Sequence, residues 1–166
     1  HYVAHTIINN LIQPNKILGE SIFSGMFLDL NIHQWSWFQY SDIFNIEKGK
    51  RLTKADMIEG DINYIGATDS NNGITAKIGN TAHVHKGNKI TISYNGSIAE
   101  AFYQAEPFWA TDDVNILTLK DYKLNVYIAM FLITLFRMEK YRFNYGRKWD
   151  KESMSQSKIK LPTTAG

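Results

Sequence analysis

The chain has 166 residues, 44% of them hydrophobic and with 9 Phe, 9 Tyr and 4 Trp, enough for one buried core and short for two; a disordered chain is excluded. The absence of cysteine excludes disulfides and thiolate metal sites, and the longest strongly apolar run, residues 126–136, is about half the roughly 20 residues that cross a bilayer. A net charge of +2 is too weak to diagnose a nucleic-acid partner, but it is segregated: residues 1–47 hold one base against four acids, the remainder 17 bases against 12 acids.

In chain order, the stretch to about Gly25 mixes apolar pairs with Asn, Gln and Pro14, and residues 1–34 are expected to form a peripheral segment of short helix and irregular chain. The first residue is His1 rather than Met, as expected of a fragment or a processed product, and no signal peptide opens the sequence, which makes a soluble cytoplasmic protein the expectation. Trp35, Trp37, Phe38, Tyr40, Ile43, Phe44 and Ile46 read as a strand entering the core of a domain over 35–166. From Asp61 to Leu119 short strands alternate with turns: INYIG, ITAKI, AHVH, KITISY, SIAEAFYQ, FWAT and VNILTL. The Asn-Gly pairs at 72–73 and 95–96 supply the positive backbone angles of tight hairpins. Leu124, Tyr127, Ile128, Phe131, Leu132 and Leu135 recur at three and four, predicting a helix over about 122–140 capped by Asp121 or Asn125. A polar turn over 150–157 and a last strand, SKIKLP, follow. The expected fold is α+β: a twisted, mainly antiparallel sheet packed by one principal buried helix.

The tract YRFNYGRKW sets Arg142, Arg147 and Lys148 among Tyr141, Phe143, Tyr145 and Trp149. Cations of this kind neutralise phosphates or fork onto guanine edges, and aromatic faces pack on sugars or bases. The alternative reading makes the aromatics core residues and the charges solvated. Lys48, Lys50, Arg51 and Lys54 surround Gly49, which permits close approach of backbone to a ligand, and form a second candidate phosphate clamp or else an exposed basic turn. The glycine spacing of a Walker A loop is absent. Loops 68–73 and 94–97 offer amides and hydroxyls suited to base edges, which turn formation explains equally well.

Asp112 and Asp113 are the most enzyme-like pair, but adjacent residues on a strand face opposite ways, which favours a cap or a hydrogen-bond anchor. His83 and His85 share a strand face and lack a third ligand nearby in sequence. No nucleophile elbow, dinucleotide fingerprint or HExxH is present.

The segments FNIEKGKRLTKAD, INYIGATDSNNGI, KITISYNGSIAEAFYQ, FWATDDVNIL, EKYRFNYGRKW and IKLP, in that order, resemble the target recognition domain of type I restriction-modification specificity subunits, above all the version in BcgI-like type II enzymes that join cleavage with methylation. The resemblance runs from about Trp35 to Pro162. It implies a non-catalytic reader of one part of a split duplex-DNA target in the prokaryotic cytoplasm. Separate methyltransferase and endonuclease subunits or domains, and a second recognition domain, are the implied partners. S-adenosylmethionine and magnesium belong by implication to those partners, with no cofactor or metal in this domain. Carried over by position, Lys48, Lys50, Arg51, Lys54, Arg142, Arg147 and Lys148, with Tyr145 and Trp149, become candidate DNA contacts, while Thr68, Ser70, Asn71, Asn72, Tyr94, Asn95 and Ser97 become candidates for positioning or base reading. A single recognition domain with no long spacer helix after Pro162 departs from a complete specificity subunit and fits a piece of a larger polypeptide. Two rivals remain: a small metal-dependent nuclease using Asp112 or Asp113, and a carbohydrate- or protein-binding module using Trp35, Trp37 and Trp109.

Overall fold

The computed structural model describes residues 35–163, so the expected peripheral segment over 1–34 lies outside the described residues. At its centre β2 (Phe44–Lys48), β8 (Val114–Leu119), β5 (Lys89–Ser93) and β6 (Ala101–Gln104) form a four-stranded antiparallel sheet in that spatial order. Ile90 to Ser93 and Val114 to Leu117 are buried without interruption, the pattern of strands covered on both faces rather than half-solvated. On one face Ile46, Ile90, Ile92, Ala101, Leu117 and Leu119 join the main core; on the other, Val114 and Ile116 pack with Ile65, Phe108 and Ala110.

The second face is covered by a three-stranded sheet, β4 (Ile74–Ile78), β3 (Ile62–Ile65) and β7 (Phe108–Ala110), in which β3 and β7 run parallel. β1 (Trp35–Gln39) pairs antiparallel with β9 (Lys158–Pro162), and α1 (Tyr40–Ile43) is a single turn between β1 and β2. The first face is covered by α2 (Val126–Met138), which buries Ile128, Ala129, Leu132, Ile133 and Phe136 at helical spacing. The α+β class, with mainly antiparallel strands and one main helix, is as expected. The strands nevertheless divide among three sheets, because a central sheet apolar on both faces needs a layer on each.

Several local expectations are corrected. α2 begins at Val126 because Asn125, not Asp121, caps it: its Oδ1 accepts the Ile128 N–H at 3.0 Å. The expected polar turn over 150–157 contains a helix, α3 (Lys151–Gln156), opened by Asp150 accepting from the Ser153 N–H at 2.9 Å. AHVH forms no strand; it contributes only an isolated bridge in which His85 and Phe108 exchange backbone hydrogen bonds. Asn71, Asn72 and Gly73 all take positive φ, whereas of the second Asn-Gly pair only Gly96 does, and the connections they serve, 66–73 and 94–100, exceed two-residue hairpins.

Trp149 is a core residue. Its exposure is 0%, its ring meets Tyr40 edge-on at 5.5 Å and stacks on Phe143 at 4.6 Å, and its Nε1–H donates to Ser157 Oγ at 2.9 Å. The Trp149→Ala variant is expected to lose about 3–5 kcal/mol of stability, measured by denaturant unfolding.

Candidate nucleic-acid interface

The ladders place four connections at one end of the molecule. Lys48 at the end of β2 pairs with Asn115 near the start of β8, Val114 pairs with Ser93 at the end of β5, and Ile92 pairs with Ala101 at the start of β6. In the outer sheet Ile65, at the end of β3, pairs with both Ile74 and Ala110, and the Thr111 N–H donates to Ile65 O at 2.9 Å. The chain leaving β2 and the connections 66–73, 94–100 and 111–113 therefore emerge together. Lys50 stays at this end, its N–H bonded to Ala110 O at 2.9 Å, while the chain beyond Leu52 turns across Tyr64 and reaches Gly79 at the far end through Ile58. Arg51 and Lys54 accordingly sit on a segment that leads away from the loops.

Four polar side chains are buried among the described residues: Thr91, Ser93, Gln104 and Asn115. Gln104 and Ser93 hold two of these connections, Thr91 supports Gln104, and Asn115 holds the basic tract through its amide nitrogen, its Oδ1 being buried without a partner among the described residues. Gln104 donates from Nε2 to Asn72 O at 3.0 Å and to Thr91 Oγ1 at 3.1 Å, and Asn72 Nδ2 donates back to Tyr103 O at 3.1 Å. The Ser93 hydroxyl donates to Ser97 O, closing the turn after β5. Asn115 Nδ2 donates to Trp149 O at 3.0 Å, tying the basic tract to the sheet directly opposite Lys48. The two loops are joined as well, Ser97 N–H donating to Ala67 O at 3.3 Å.

Electrostatics sort the cations. Lys48 lies 5.5 Å from the Tyr94 ring centroid, and its pKa is raised by a hydrogen bond with Tyr94 and by the Asp112 and Asp113 carboxylates. Arg142 is ion-paired with Glu139 and lines an open cleft of about 480 Å³ with Trp37, Gln156, Ser157 and Lys158. Arg147 and Lys148 are exposed and line an adjoining cleft of about 290 Å³ with Arg142, Ser153 and Gln156. Lys50, Arg51, Lys54, Arg147 and Lys148 form no ion pair with another described residue. Asp150 is held below the usual carboxylate range by its hydrogen bonds to Ser153, with a smaller contribution from Lys48.

Three candidates are corrected. Trp149, fully buried, offers no face to a ligand. Tyr94 is 8% exposed and its hydroxyl donates to Asp112 O, which commits most of its side chain to Lys48 and the 111–113 connection. Gly49 is needed for its own fold: a Cβ there would overlap the carbonyl oxygens of Thr111 and Ala110. Of the remaining candidates, Ser70, Asn71, Asn72 and Tyr145 are exposed and Thr68, Asn95 and Ser97 half-buried.

Residues 32–165 match the model of the type I restriction modification DNA specificity domain. The chain belongs to this family. It is 43% identical over 131 residues to the type II restriction enzyme specificity subunit S.BcgI of Heyndrickxia coagulans, a match covering 79% of this chain and 38% of that one. Its fold is similar to the type I S subunit of M. genitalium (TM-score 0.66, 17% identity, 96% of this chain and 43% of that one) and to the HsdS subunit of Thermoanaerobacter tengcongensis (TM-score 0.58, 15% identity, 78% and 34%). The specificity domain thus spans well under half the length of these relatives.

The anchors Thr91, Ser93, Gln104 and Asn115 were missed in the sequence, where each is a polar residue in an otherwise apolar strand. Asp113 is the hydrogen-bond anchor that sequence favoured, accepting from Asn95 Nδ2 at 3.1 Å. His83 and His85 pack on different rings, edge-on to Trp109 at 5.2 Å and stacked on Phe108 at 5.5 Å. Burial lowers the His85 pKa. Among the described residues no group of three His, Asp or Glu is placed to hold a metal ion, and no helix is long and apolar enough to cross a membrane. Gly49→Ala is expected to cost about 1–3 kcal/mol through overpacking. Gly146→Ala, whose Cβ would meet only Asn144 Oδ1 at 3.4 Å, should stay within about 0.5 kcal/mol of the parent; thermal melts of the two variants check the contrast.

Proposed function

We propose that this chain is the part of a restriction-modification specificity subunit that recognises one portion of a duplex-DNA target and performs no chemistry itself. The observation that carries the reading is the convergence of the loops at 66–73 and 94–97 with Lys48 and Lys50 at one end, the Arg147–Lys148 tract being tied to the same sheet through Asn115. A rigid sheet supplies the fixed geometry that base readout needs, the loops supply groups for groove edges, and flanking cations fix register on the phosphates.

Membership of the DNA specificity domain family supports the same assignment. In this reading methylation and cleavage belong to separate methyltransferase and endonuclease modules, which hold S-adenosylmethionine and magnesium. This chain holds neither, and a second recognition domain reads the other part of the target. The cell compartment is the prokaryotic cytoplasm, where the DNA is. Asp112 and Asp113 act here as loop anchors, since Asp112 accepts from Thr111 Oγ1 at 3.1 Å and Asp113 from Asn95.

Replacing Arg147 and Lys148 together by alanine should weaken duplex binding for cognate and unrelated sequences alike. It should also reduce the slope of log affinity against log salt by about 2, near one unit for each phosphate no longer neutralised. Salt-titrated binding of the parent and the double variant checks this, and an unchanged affinity and slope would remove the tract from the interface.

A further inference from the structure

The connection between β3 and β4 carries one exposed carboxylate, Asp69, between half-buried Thr68 and exposed Ser70. Asp69 forms no ion pair with another described residue. Each of its neighbours has a partner within the protein. Thr68 Oγ1 and Ser70 Oγ bond each other at 3.2 Å, Asn71 Nδ2 donates to Ile74 O at 3.0 Å, and Asn72 is bound on both its side chain and its carbonyl by Tyr103 and Gln104. In the adjoining loop Asn95 Nδ2 likewise donates to Asp113 Oδ1.

The loop is also held in shape. Residues Asn71, Asn72 and Gly73 have φ of 49, 54 and 79°, Gly66 N–H donates to Gly73 O at 2.9 Å, and Gln104, 2% exposed, reaches Asn72 O from inside the central sheet. A carboxylate on a surface that meets phosphates is repelled unless it finds a donor. In the major groove the donors are the exocyclic amines, N4 of cytosine and N6 of adenine, one in every base pair.

Resting on the DNA-recognition reading above, we propose that Asp69 accepts a hydrogen bond from one such amine in the recognised site, and that Gln104, acting through Asn72, is a positioning residue that fixes where the carboxylate stands. Because every base pair has one amine, discrimination comes from its location in the groove. A displaced loop therefore loses selectivity while charge and phosphate binding are kept.

The test begins with selection of bound sites from random duplexes by the full-length protein that carries this chain. Binding is then measured to the selected site and to versions in which single cytosines or adenines are replaced by analogues lacking the exocyclic amine. One amine is expected whose removal weakens the parent about tenfold, within the range of a good base contact, and leaves Asp69→Ala unaffected. Gln104→Met, at unchanged melting temperature, should lose the same sensitivity and keep its salt slope. If that variant is unstable, Asn72→Gly, which tolerates the positive φ and removes the Asn72 Nδ2 bonds to Tyr103 O and Gln104 Oε1, combined with Gln104→Ala to remove the bond to the Asn72 carbonyl, tests the same clamp. Equal losses in the parent and Asp69→Ala at every amine would overturn the assignment of Asp69, and full sensitivity in a stable clamp variant would overturn the positioning role. Failure of the parent to select any site would instead overturn the DNA reading itself.

Discussion

The interior of the central sheet contains four polar side chains that must find partners inside the protein, since leaving one unmade costs about 1–3 kcal/mol. Gln104 finds its partners in Asn72 O and Thr91 Oγ1, Thr91 in Phe102 O and Gln104, Ser93 in the turn at Ser97, and the Asn115 amide nitrogen in the carbonyl of Trp149. This constraint links core and surface. Three of these groups, Gln104, Ser93 and the Asn115 amide nitrogen, hold the candidate DNA-binding segments, so loop position is tied to the interior of the sheet, while Asn115 Oδ1 stays buried without a hydrogen-bond partner among the described residues. The same sheet is covered on both faces, which leaves its end as the place where loops from both sheets gather.

Charge is arranged in keeping with that division. Lys48 lies over the Tyr94 ring, and Arg142 is paired with Glu139, so both are engaged within the protein. Lys50, Arg147 and Lys148 are exposed, without an ion pair to another described residue, and available to phosphates. The tract from Tyr141 to Trp149 thus serves two purposes at once: Phe143 and Trp149 close the core over Tyr40, and Tyr145, Arg147 and Lys148 remain outside.

Much of this was legible in the sequence where one local signal dominates. The strands INYI, ITAKI, KITIS and VNILTL stand where β-branched runs between turn residues put them, the period of α2 was clear, and Asn71 to Gly73 took the positive angles their residue types favour. What could not be read is what only tertiary pairing decides. The parallel register of β3 with β7 joins Asn63 to Phe108 across a long stretch of chain, and nothing local in FWA indicates it. The roles of Trp149 and Tyr94 depended on which face the fold buried, and Gly49 answered to the carbonyls of Ala110 and Thr111 rather than to a ligand. Gln104 is a single glutamine at a strand end until the loop it holds is seen beside it.

Whether duplex DNA meets the protein at the loop end of the sheet is decided by amide hydrogen exchange of the full-length protein with and without its selected duplex. Slowed exchange is expected in residues 66–73, 94–97 and 144–148, and no change on the exposed side of α2 around Tyr127 and Met130. Protection confined to that helix face, with the two loops unchanged, would contradict that placement.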